Sequence, residues 1–337
     1  MRQIHLPFRV PLGFYPTPIE RLDRLSRYLG GPEIYVKRDD QTGLAGGGNK
    51  TRKLEFLLAD ARARHCDHLV TTGGPQSNHC RQTAAAAARM GMGCSVVLRG
   101  DAMSERLGNL LLNDLFGAEV HWAGHREREA VADELAAAIR SGGGRPYLVP
   151  LGGSTPLGAL GYVSAMQEAL AQIEAQHLEI DSMVVASSSA GTQAGLVLGA
   201  ALLGWKGRIL GISIDAAADA LAARVRAIAQ AAADLLDRGE TAERRSEAAH
   251  VFPCVEVNAN YLGRGYAVVG DLEREAIRTV ARTEGLLLDP VYTGRAMGAL
   301  IDLIHRCVFV SGQRVLFWHT GGAQALSAFA GELDAGR

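Results

Sequence analysis

The sequence predicts an α/β fold in which mostly parallel strands alternate with helices. Short runs of β-branched and aliphatic residues alternate along the chain with alanine-rich stretches of helical length, which is typical of strands joined by helical crossovers. Several runs lead directly into glycine- or serine-rich turns, as at residues 71–78 and 185–192. Because such turns gather at the carboxyl ends of parallel strands, where ligands bind, they are the first candidates for a functional site.

Each predicted strand is a short run rich in valine, isoleucine, leucine or aromatic residues. In chain order these runs are 34–37, 68–72, 94–98, 119–122, 147–149, 183–186, 209–214 and 315–318. Each predicted helix is a longer stretch between such runs, rich in alanine and other good helix formers. The predicted helices are 51–64, 78–90, 109–116, 128–141, 159–176, 192–203, 218–237, 270–284 and 294–306.

Length and charge limit the classes of protein to consider. The chain has 337 residues, which at roughly 150 residues per domain indicates about two domains. Lysine and arginine total 35 and aspartate and glutamate 36, so the formal net charge is −1 and binding to nucleic acid is not expected. Since no proline-, glycine- and serine-rich linker separates two consecutive domains, a second domain is predicted to be inserted into the first.

The composition predicts a cytoplasmic protein that does not enter the membrane. Residues 1–17 lack the apolar run of a signal peptide. Residues 182–205 carry no charge and reach the length of a membrane helix, but the polar residues at their centre favour a buried strand, turn and helix. The cysteines are widely spaced without a C-x-x-C pair and are interpreted as buried thiols in a reducing compartment; they are Cys66, Cys80, Cys94, Cys254 and Cys307.

A glycine run followed by a lysine is the first segment that indicates chemistry. Gly46, Gly47 and Gly48 precede Asn49 and Lys50, which opens a predicted helix. The positive end of the helix dipole lowers the pKa of an amine at this position and favours the neutral form that attacks carbonyl groups. A Schiff-base lysine fits this pattern. A phosphate-binding loop, or a plain turn with a solvated lysine, remains an alternative on spacing alone.

The second segment, residues 187–192, places small hydroxyl residues between a predicted strand and an apolar helix. Backbone N–H groups and hydroxyls at a helix N-terminus bind anions without a positive side chain, and a phosphate monoester would fit. A tight turn selected only for packing is the alternative. A poised lysine together with a phosphate site indicates a cofactor with both an aldehyde and a phosphate, and pyridoxal 5′-phosphate has that combination.

The order of these and other motifs resembles the D-cysteine desulfhydrase and 1-aminocyclopropane-1-carboxylate deaminase family. The resemblance covers nearly the whole chain and is carried by residues 38–57, 76–79, 158–162, 190–195, 289–294 and 319–322. It implies two open, twisted, mostly parallel sheets flanked by helices, the tryptophan-synthase-β-like fold of pyridoxal-phosphate enzymes of fold type II. It further implies a large cofactor-binding domain of residues 1–50 and 160–337, a smaller inserted α/β domain of residues 51–159, and a homodimer.

The resemblance also implies roles for single residues. Lys50 is the expected Schiff-base lysine, and Asn78 is expected to hydrogen-bond the 3′-hydroxyl of the cofactor. Ser77 is expected near the substrate carboxylate and Cα, and Tyr266 and Tyr292 match two active-site tyrosines. The cofactor phosphate is expected at Ser188, Ser189, Ala190, Gly191 and Thr192.

Two threonines place the chain on one branch of this family. Deaminase members carry glutamate at the position of Thr293, which is expected near the pyridine nitrogen, and leucine at that of Thr320; desulfhydrase-like members have small hydroxyl residues at both. A hydroxyl cannot hold a proton on the pyridine as a carboxylate can, so the ring withdraws electrons less strongly and β-elimination is favoured.

The resulting prediction is β-elimination of D-cysteine, or a related β-substituted amino acid, to pyruvate, ammonia and sulfide, with Lys50 or a Ser77 and Tyr292 pair as the base at Cα. L-cysteate sulfo-lyase activity is the first alternative. A 1-aminocyclopropane-1-carboxylate deaminase and a non-catalytic protein that binds the cofactor or an amino acid are the others.

Two further features of the sequence concern the site. Tyr266 is followed by Ala267, Val268 and Val269, where the family usually has glycine and soon a proline. Because a Cβ is costly at positive φ, the loop is expected to follow a different path and to alter substrate preference. The spaced histidine pairs lack the other residues of a zinc motif, so no metal site is predicted; the pairs are His65 with His68 and His121 with His125.

Overall fold

The computed structural model describes residues 4–237 and 255–334, and within them ten strands form two mostly parallel sheets. The α/β class and the two-sheet architecture are therefore confirmed. The strands are β1 (Ile19–Arg21), β2 (Glu33–Arg38), β3 (His68–Gly73), β4 (Gly93–Leu98), β5 (Glu119–Trp122), β6 (Pro146–Val149), β7 (Ser182–Ser187), β8 (Arg208–Ser213), β9 (Glu256–Asn258) and β10 (Arg314–His319).

Helices of the described residues cover both faces of the sheets, as expected when parallel strands are joined by crossovers. They are α1 (Asp23–Leu29), α2 (Lys50–Ala63), α3 (Asn78–Met90), α4 (Gly108–Leu115), α5 (Arg128–Ser141), α6 (Pro156–Ala175), α7 (Gly191–Leu203), α8 (Ala218–Asp237), α9 (Asp271–Glu284), α10 (Thr293–His305) and α11 (Ala330–Asp334).

The strands form two separate sheets. The six-stranded sheet has the order β1-β2-β10-β7-β8-β9, and the four-stranded sheet has the order β5-β4-β3-β6. Among the described pairs only β1 with β2 is antiparallel. The C-terminal strand β10 lies between β2 and β7, with Trp318 opposite Lys37 on one side and Val185 on the other. Both ends of the chain thus build the six-stranded sheet, and the four-stranded sheet comes from the residues between them.

The helix that begins at Lys50 is fixed to the large sheet by buried charges. Arg52, in the first turn of α2, donates to Asp39 Oδ1 at 2.8 Å and to Glu168 Oε1 at 2.9 Å. Arg52 and Asp39 are both fully buried. Close backbone packing adds to this anchor, since a Cβ on Gly161 of α6 would lie 2.3 Å from the Arg52 carbonyl oxygen. The position of Lys50 is therefore set by several independent contacts.

The same helix also contributes to the core of the small sheet. Leu54, Leu57 and Leu58 belong to one hydrophobic cluster with residues of β3 and β4. Val10 and Leu12 join this cluster from the N-terminal segment. The N-terminal segment therefore packs against the inserted region as well as leading into the large sheet.

Four short elements of the structure were not predicted, namely β1, β9, α1 and α11. Both strands have three residues, lie at the edges of the large sheet and include a charged residue, so they lack the apolar run of a central strand. The prediction of buried thiols is correct for Cys80 and Cys94, but wrong for the half-buried Cys66 and for Cys307, which is exposed in the turn after α10. Cys254 lies outside the described residues.

The uncharged segment at residues 182–205 forms the buried strand β7, a turn and the buried helix α7, as expected. Its apolar residues pack on the neighbouring strands and on α6. No helix among the described residues is long and apolar enough to cross a membrane.

Candidate active site

A cavity of about 710 Å³ lies where the carboxyl ends of strands from both sheets meet. Its walls come from the turns after β3, β4 and β6 on one side and after β7, β8 and β10 on the other. This is the place where parallel sheets bind ligands. Of the predicted site residues, those that line it are Lys50, Ser77, Asn78, Ser188, Ser189, Ala190, Thr192, Tyr266, Tyr292 and Thr320.

Lys50 lies at the first position of α2, after a loop held by glycine backbone. Gly48 has φ +131°, and the N–H of Asn49 donates to the carbonyl of Thr320 at 3.0 Å. The Lys50 amine donates to Asn49 Oδ1 at 3.1 Å. Burial lowers the pKa of Lys50 to about 8, while Asp289 acts to raise it and Arg81 to lower it further. The pKa of Lys50 is lowered as expected, and burial of the amine is the largest cause.

The turn between β7 and α7 forms a cradle of hydroxyl groups and backbone N–H groups. Ser154 Oγ donates to Ser189 Oγ at 2.8 Å and accepts from the N–H of Gly191 at 3.2 Å. Thr192 Oγ1 accepts from Asn49 Nδ2 at 3.0 Å. Because Asn49 directly precedes Lys50, this bond ties the cradle to the lysine.

A second buried amine lies behind the cradle. Lys53 is fully buried, and its Nζ donates to Gly152 O at 3.1 Å and to Ser154 Oγ at 3.2 Å. Burial and the neighbouring Lys50 lower the pKa of Lys53 well below its usual value. Among the described residues it has no carboxylate partner. An anion bound at the cradle would supply the missing negative charge.

The residues present fit a cofactor that carries an aldehyde and a phosphate. Lys50 supplies an amine of lowered pKa, and the turn at the N-terminus of α7 supplies the free hydroxyl proton of Ser189, with the buried amine of Lys53 behind it. The cradle has no room for further atoms behind its backbone, because a Cβ on Gly191 would lie 2.7 Å from Ser154 Oγ. Both groups belong to one cavity, as pyridoxal phosphate requires.

The turn after β3 presents Ser77 and Asn78 to the cavity. Ser77 caps α3, and its Oγ accepts from the N–H of Cys80 at 3.2 Å, which leaves its proton free to donate. Asn78 Oδ1 accepts from Arg81 Nη1 at 3.0 Å and from Asn109 Nδ2 at 2.8 Å. With its oxygen engaged, the Asn78 side chain can offer its NH₂ group as a donor.

Tyr266 and Tyr292 form a hydrogen-bonded pair at the cavity wall. Their hydroxyl oxygens are 2.7 Å apart and their rings pack edge to face. Burial raises the pKa of Tyr292 well above its usual value and also raises that of Tyr266, so both hydroxyls are protonated at neutral pH. A Cβ on Gly74 would contact the Tyr266 ring at 3.7 Å, so the tyrosine reaches across the cavity to the turn that carries Ser77.

The two threonines that define the branch lie in different environments. Thr320 follows β10 and lines the cavity. Thr293 is fully buried, outside the lining residues, and its hydroxyl donates to Asp289 Oδ1 and accepts from the N–H of Asp289, both at 2.7 Å. Its role beside a pyridine ring remains a prediction. Gly191 is likewise outside the lining side chains and contributes its backbone N–H.

Several polar residues of the site were not identified from the sequence. Asp289 is fully buried and accepts from the N–H groups of Val291, Tyr292 and Thr293, a capping pattern that its spacing before α10 could have indicated. No sequence signal identifies the others, because their partners are distant in the chain. They are Arg81, Asn109, Ser154, Asp215 and the arginines Arg99, Arg128, Arg224 and Arg264. Among the described residues no cluster of His, Cys, Asp and Glu could hold a metal ion.

The loop after Tyr266 does not avoid a positive φ. Ala267 adopts the left-handed conformation with φ +59° despite its Cβ. We expect Ala267→Gly to raise the free energy of unfolding by about 0.5 to 1 kcal/mol, since relief of strain exceeds the entropic cost of glycine. Urea denaturation measures this difference. Ala223→Gly on the exposed face of α8 is the control and should destabilise by about 1 kcal/mol; equal losses in both variants would contradict the strain at Ala267.

The fold and the cavity together define a cofactor-dependent α/β enzyme with a reactive lysine and a phosphate cradle. A family model described as pyridoxal-phosphate dependent enzyme matches residues 10–321. The chain belongs to this family of pyridoxal-phosphate-dependent enzymes, and pyridoxal phosphate is its cofactor.

Individual members of the family that are similar to this chain include D-cysteine desulfhydrases. The D-cysteine desulfhydrase of Salmonella schwarzengrund (strain CVM19633) is 44% identical over 320 residues, covering 93% of this chain and 94% of the relative. That of Salmonella typhi is 43% identical over the same shares. A solved ACC deaminase homologue is 37% identical with a TM-score of 0.86, over 97% of this chain and 95% of that one. The Escherichia coli diaminopropionate ammonia lyase, at 15% identity and a TM-score of 0.66, over 96% of this chain and 87% of that one, shares the fold.

Proposed function

We propose that this chain is a D-cysteine desulfhydrase, which converts D-cysteine and water to pyruvate, ammonia and sulfide. The observation that carries the proposal is the single cavity that joins Lys50, the Ser188–Thr192 cradle and the Tyr266 and Tyr292 pair. The D-cysteine desulfhydrases among its relatives, at 43% and 44% identity, support the choice of substrate.

Each residue has a proposed part in holding the cofactor. Lys50 would attach it covalently, and the N-terminus of α7 would hold its phosphate, supported by Ser154 and Lys53. The Asn78 NH₂ group would donate to the ring oxygen. When bound, pyridoxal phosphate supplies an aldehyde that captures the substrate amine and a conjugated ring that takes up the electrons released at Cα.

The protonation states of the lysine, serine and tyrosine side chains in the cavity indicate which of them would act as acid and which as base. Because its pKa is lowered to about 8, Lys50 has a much larger neutral fraction near neutral pH than an ordinary lysine and would accept the Cα proton. Ser77, with its hydroxyl proton free, would donate to the substrate carboxylate. Tyr266 and Tyr292 keep their protons at this pH and would donate one to the departing sulfur. This division favours Lys50 over the Ser77 and Tyr292 pair as the base.

The proposal is tested by measuring 2-oxo acid release from a panel of amino acids; elimination from the β-substituted substrates gives pyruvate, whereas opening of the cyclopropane ring gives 2-oxobutyrate. The panel contains D-cysteine, L-cysteine, L-cysteate, β-chloro-D-alanine and 1-aminocyclopropane-1-carboxylate. We expect D-cysteine to give the highest kcat/KM, with sulfide formed in equal amount to pyruvate. Turnover of the cyclopropane substrate alone, or of none of the five by cofactor-loaded protein, would overturn the proposal.

L-cysteate is a second candidate substrate because arginines outnumber the carboxylate of Asp215 among the residues that line the cavity. Arg99, Arg128, Arg224 and Arg264 line it, while the whole chain has a net charge of −1. Arg128 pairs with Glu129 at 2.8 Å, but the other three have no carboxylate partner among the described residues. A substrate with an anionic β-substituent, such as a sulfonate, would be attracted to such a wall.

Charge-removing substitutions separate the two substrates. If an anionic substituent binds here, Arg99→Gln with Arg128→Gln should lower kcat/KM for L-cysteate by about 10-fold or more, the loss expected for a charged hydrogen bond. The value for D-cysteine should change little. Arg62→Gln, on the exposed end of α2, is the matched control. A fall of equal size for both substrates would remove L-cysteate as a candidate.

The division into domains is proposed as the resemblance implies it. Residues 1–50 and 160–337 form the large cofactor-binding domain, and residues 51–159 form the inserted domain. The position of the four-stranded sheet, whose strands lie between His68 and Val149, supports this division.

A cytoplasmic homodimer is the proposed state of the protein. Four cysteines that are free in the described residues agree with a reducing compartment. The homodimer is proposed from the resemblance, and side chains that a contact between copies could cover are Phe8, Phe14, Tyr28 and Leu115, which are 69–74% exposed. Light scattering that gives the mass of one chain, 35.8 kDa, would contradict the dimer.

A further inference from the structure

Arg81 is a buried cation next to the cofactor lysine that the mechanism above does not use. It lies on α3, and its side chain is fully buried. Its guanidinium donates to Asn78 Oδ1 at 3.0 Å, to Asn109 Oδ1 at 2.8 Å and to the carbonyl of Gly47 at 2.8 Å. Its Nε has no partner, and no carboxylate pairs with it among the described residues. Burying a charge without an ion-pair contact is costly, even though the carboxylate of Asp289 acts to stabilise it, so the presence of Arg81 beside Asn78 and the Gly47 loop requires a reason.

The first consequence of Arg81 is the orientation of Asn78. The guanidinium and Asn109 Nδ2 both donate to Asn78 Oδ1, so this oxygen is held on the side of α3. The NH₂ group is thereby turned the other way, toward Gly322 after β10, where a Cβ would lie 2.6 Å from Asn78 Nδ2. Without Arg81 and Asn109 the amide could rotate and present its oxygen instead.

The second consequence is the shape of the lysine loop. The Gly47 carbonyl accepts from Arg81 Nη2 and also from Gln82 Nε2, each at 2.8 Å. Gly47 has φ +81° and precedes Lys50 by three residues. Arg81 therefore holds both the loop before the lysine and the amide beside it.

The third consequence is electrostatic. Burial lowers the pKa of Lys50 to about 8, and the charge of Arg81 lowers it further. The carboxylate of Asp289 has the opposite effect. The charged and titratable groups that interact with the Lys50 amine are Arg81 and His79 from α3, Lys53 from α2 and Asp289 before α10. His79 is neutral at physiological pH because burial lowers its pKa well below the usual value.

We propose that Arg81 is a positioning residue of this site, which aims the Asn78 NH₂ group at the cofactor and places a fixed positive charge beside the Lys50 amine. The proposal rests on the proposed role of Lys50 as the residue that holds pyridoxal phosphate. It does not depend on which amino acid is the substrate.

The electrostatic part is tested on the protein freed of cofactor. The extent of acetylation of Lys50 by acetic anhydride, followed by peptide mass spectrometry across pH, gives the titration midpoint of its amine. We expect a midpoint near 8 in the parent and a higher midpoint in Arg81→Met, because a neighbouring positive charge is removed. Arg89→Met, on the same helix and bonded to Leu12 O, should leave it unchanged. An unchanged midpoint in Arg81→Met would overturn this part.

The positioning part is tested by cofactor affinity in a double-mutant cycle. Equilibrium dialysis of pyridoxal phosphate should show binding weakened about 10-fold in Arg81→Met and in Asn78→Ala, with little further loss when both are combined. Additive losses would mean that Arg81 does not act through Asn78. If Arg81→Met fails to fold, Arg81→Lys is used instead, because it retains the positive charge but lacks the forked donors of the guanidinium. Arg81→Lys should keep the titration midpoint of Lys50 and bind pyridoxal phosphate more weakly. If Arg81→Lys binds pyridoxal phosphate as tightly as the parent, the proposal is overturned.

These outcomes are separate from those of the proposed function. Failure of the D-cysteine assay in the parent, with the midpoint shift present, would reject the substrate and retain the role of Arg81. Conversely, normal desulfhydrase activity of Arg81→Met together with unchanged cofactor affinity would reject Arg81 and retain the proposed function.

Discussion

Replacing Lys50 with alanine is expected to abolish covalent attachment of pyridoxal phosphate and to reduce kcat by at least about 10³-fold, since the residue proposed both to hold the cofactor and to move the Cα proton is removed. Borohydride reduction of the loaded parent, followed by peptide mapping, should place the pyridoxyl label on Lys50. The chain has only four lysines, so the assignment is simple; the others are Lys37, Lys53 and Lys206.

Lys53 is the natural rival because it is buried one turn further along the same helix. Its Nζ is engaged by Gly152 O and Ser154 Oγ behind the cradle, which keeps it from the open cavity. A label on Lys53, or retention of the label in Lys50→Ala, would refute the assignment. Lys206→Ala, in the turn before β8, is the control and should keep both label and activity.

Gly321→Ala should be severely damaging although it removes no functional group. A Cβ on Gly321 would lie 2.8 Å from Gly48 Cα and 3.3 Å from Gly48 N, and backbone atoms cannot rotate away. Because Gly48 precedes Lys50 by two residues, the loop must shift and take the amine with it. We expect a loss of about 3 kcal/mol of stability, as for other severe steric changes in a core, and cofactor binding weakened by about 10-fold or more.

Gly312→Ala is a matched control for this clash. Gly312 has φ +87° and Gly321 φ +85°, so both substitutions carry the same backbone strain. Nothing lies within 4 Å of a Cβ at Gly312. Its cost should therefore be about 1 kcal/mol, from strain alone, with cofactor binding unchanged. Equal effects of the two substitutions on denaturation and on cofactor affinity would contradict the close approach of Gly321 to the lysine loop.

The central strands were predictable because a strand that is buried on both faces has a continuous run of apolar residues, and the helices between them are alanine-rich stretches of helical length. The run at 183–186, for example, is apolar throughout and lies inside β7 (Ser182–Ser187). Edge strands lack such an apolar run. β9 pairs on one side only and contains Glu256, whose carboxylate forms an ion pair with Arg208.

The parts of the candidate site that could be predicted are those whose functional groups lie close together in the sequence. The glycine loop with Lys50 and the serine turn at 187–192 each carry their chemistry within a few positions. Buried charges were not predictable, because Arg81 donates to Gly47 and Asn109 as well as to the nearby Asn78, and the fold brings the first two to it from distant positions. Such pairings depend on tertiary structure and have no local pattern.

The helix that starts at Lys50 has a consequence for how the protein unfolds. Arg52 joins α2 to Asp39 and Glu168 at the large sheet, whereas Leu54 and Leu57 belong to the core of the small sheet. Melting either sheet alone would strip one side of α2 and leave buried charge or apolar surface exposed. The two sheets should therefore melt in one cooperative transition, and the amide protons of α2 should exchange with solvent only when the whole chain opens.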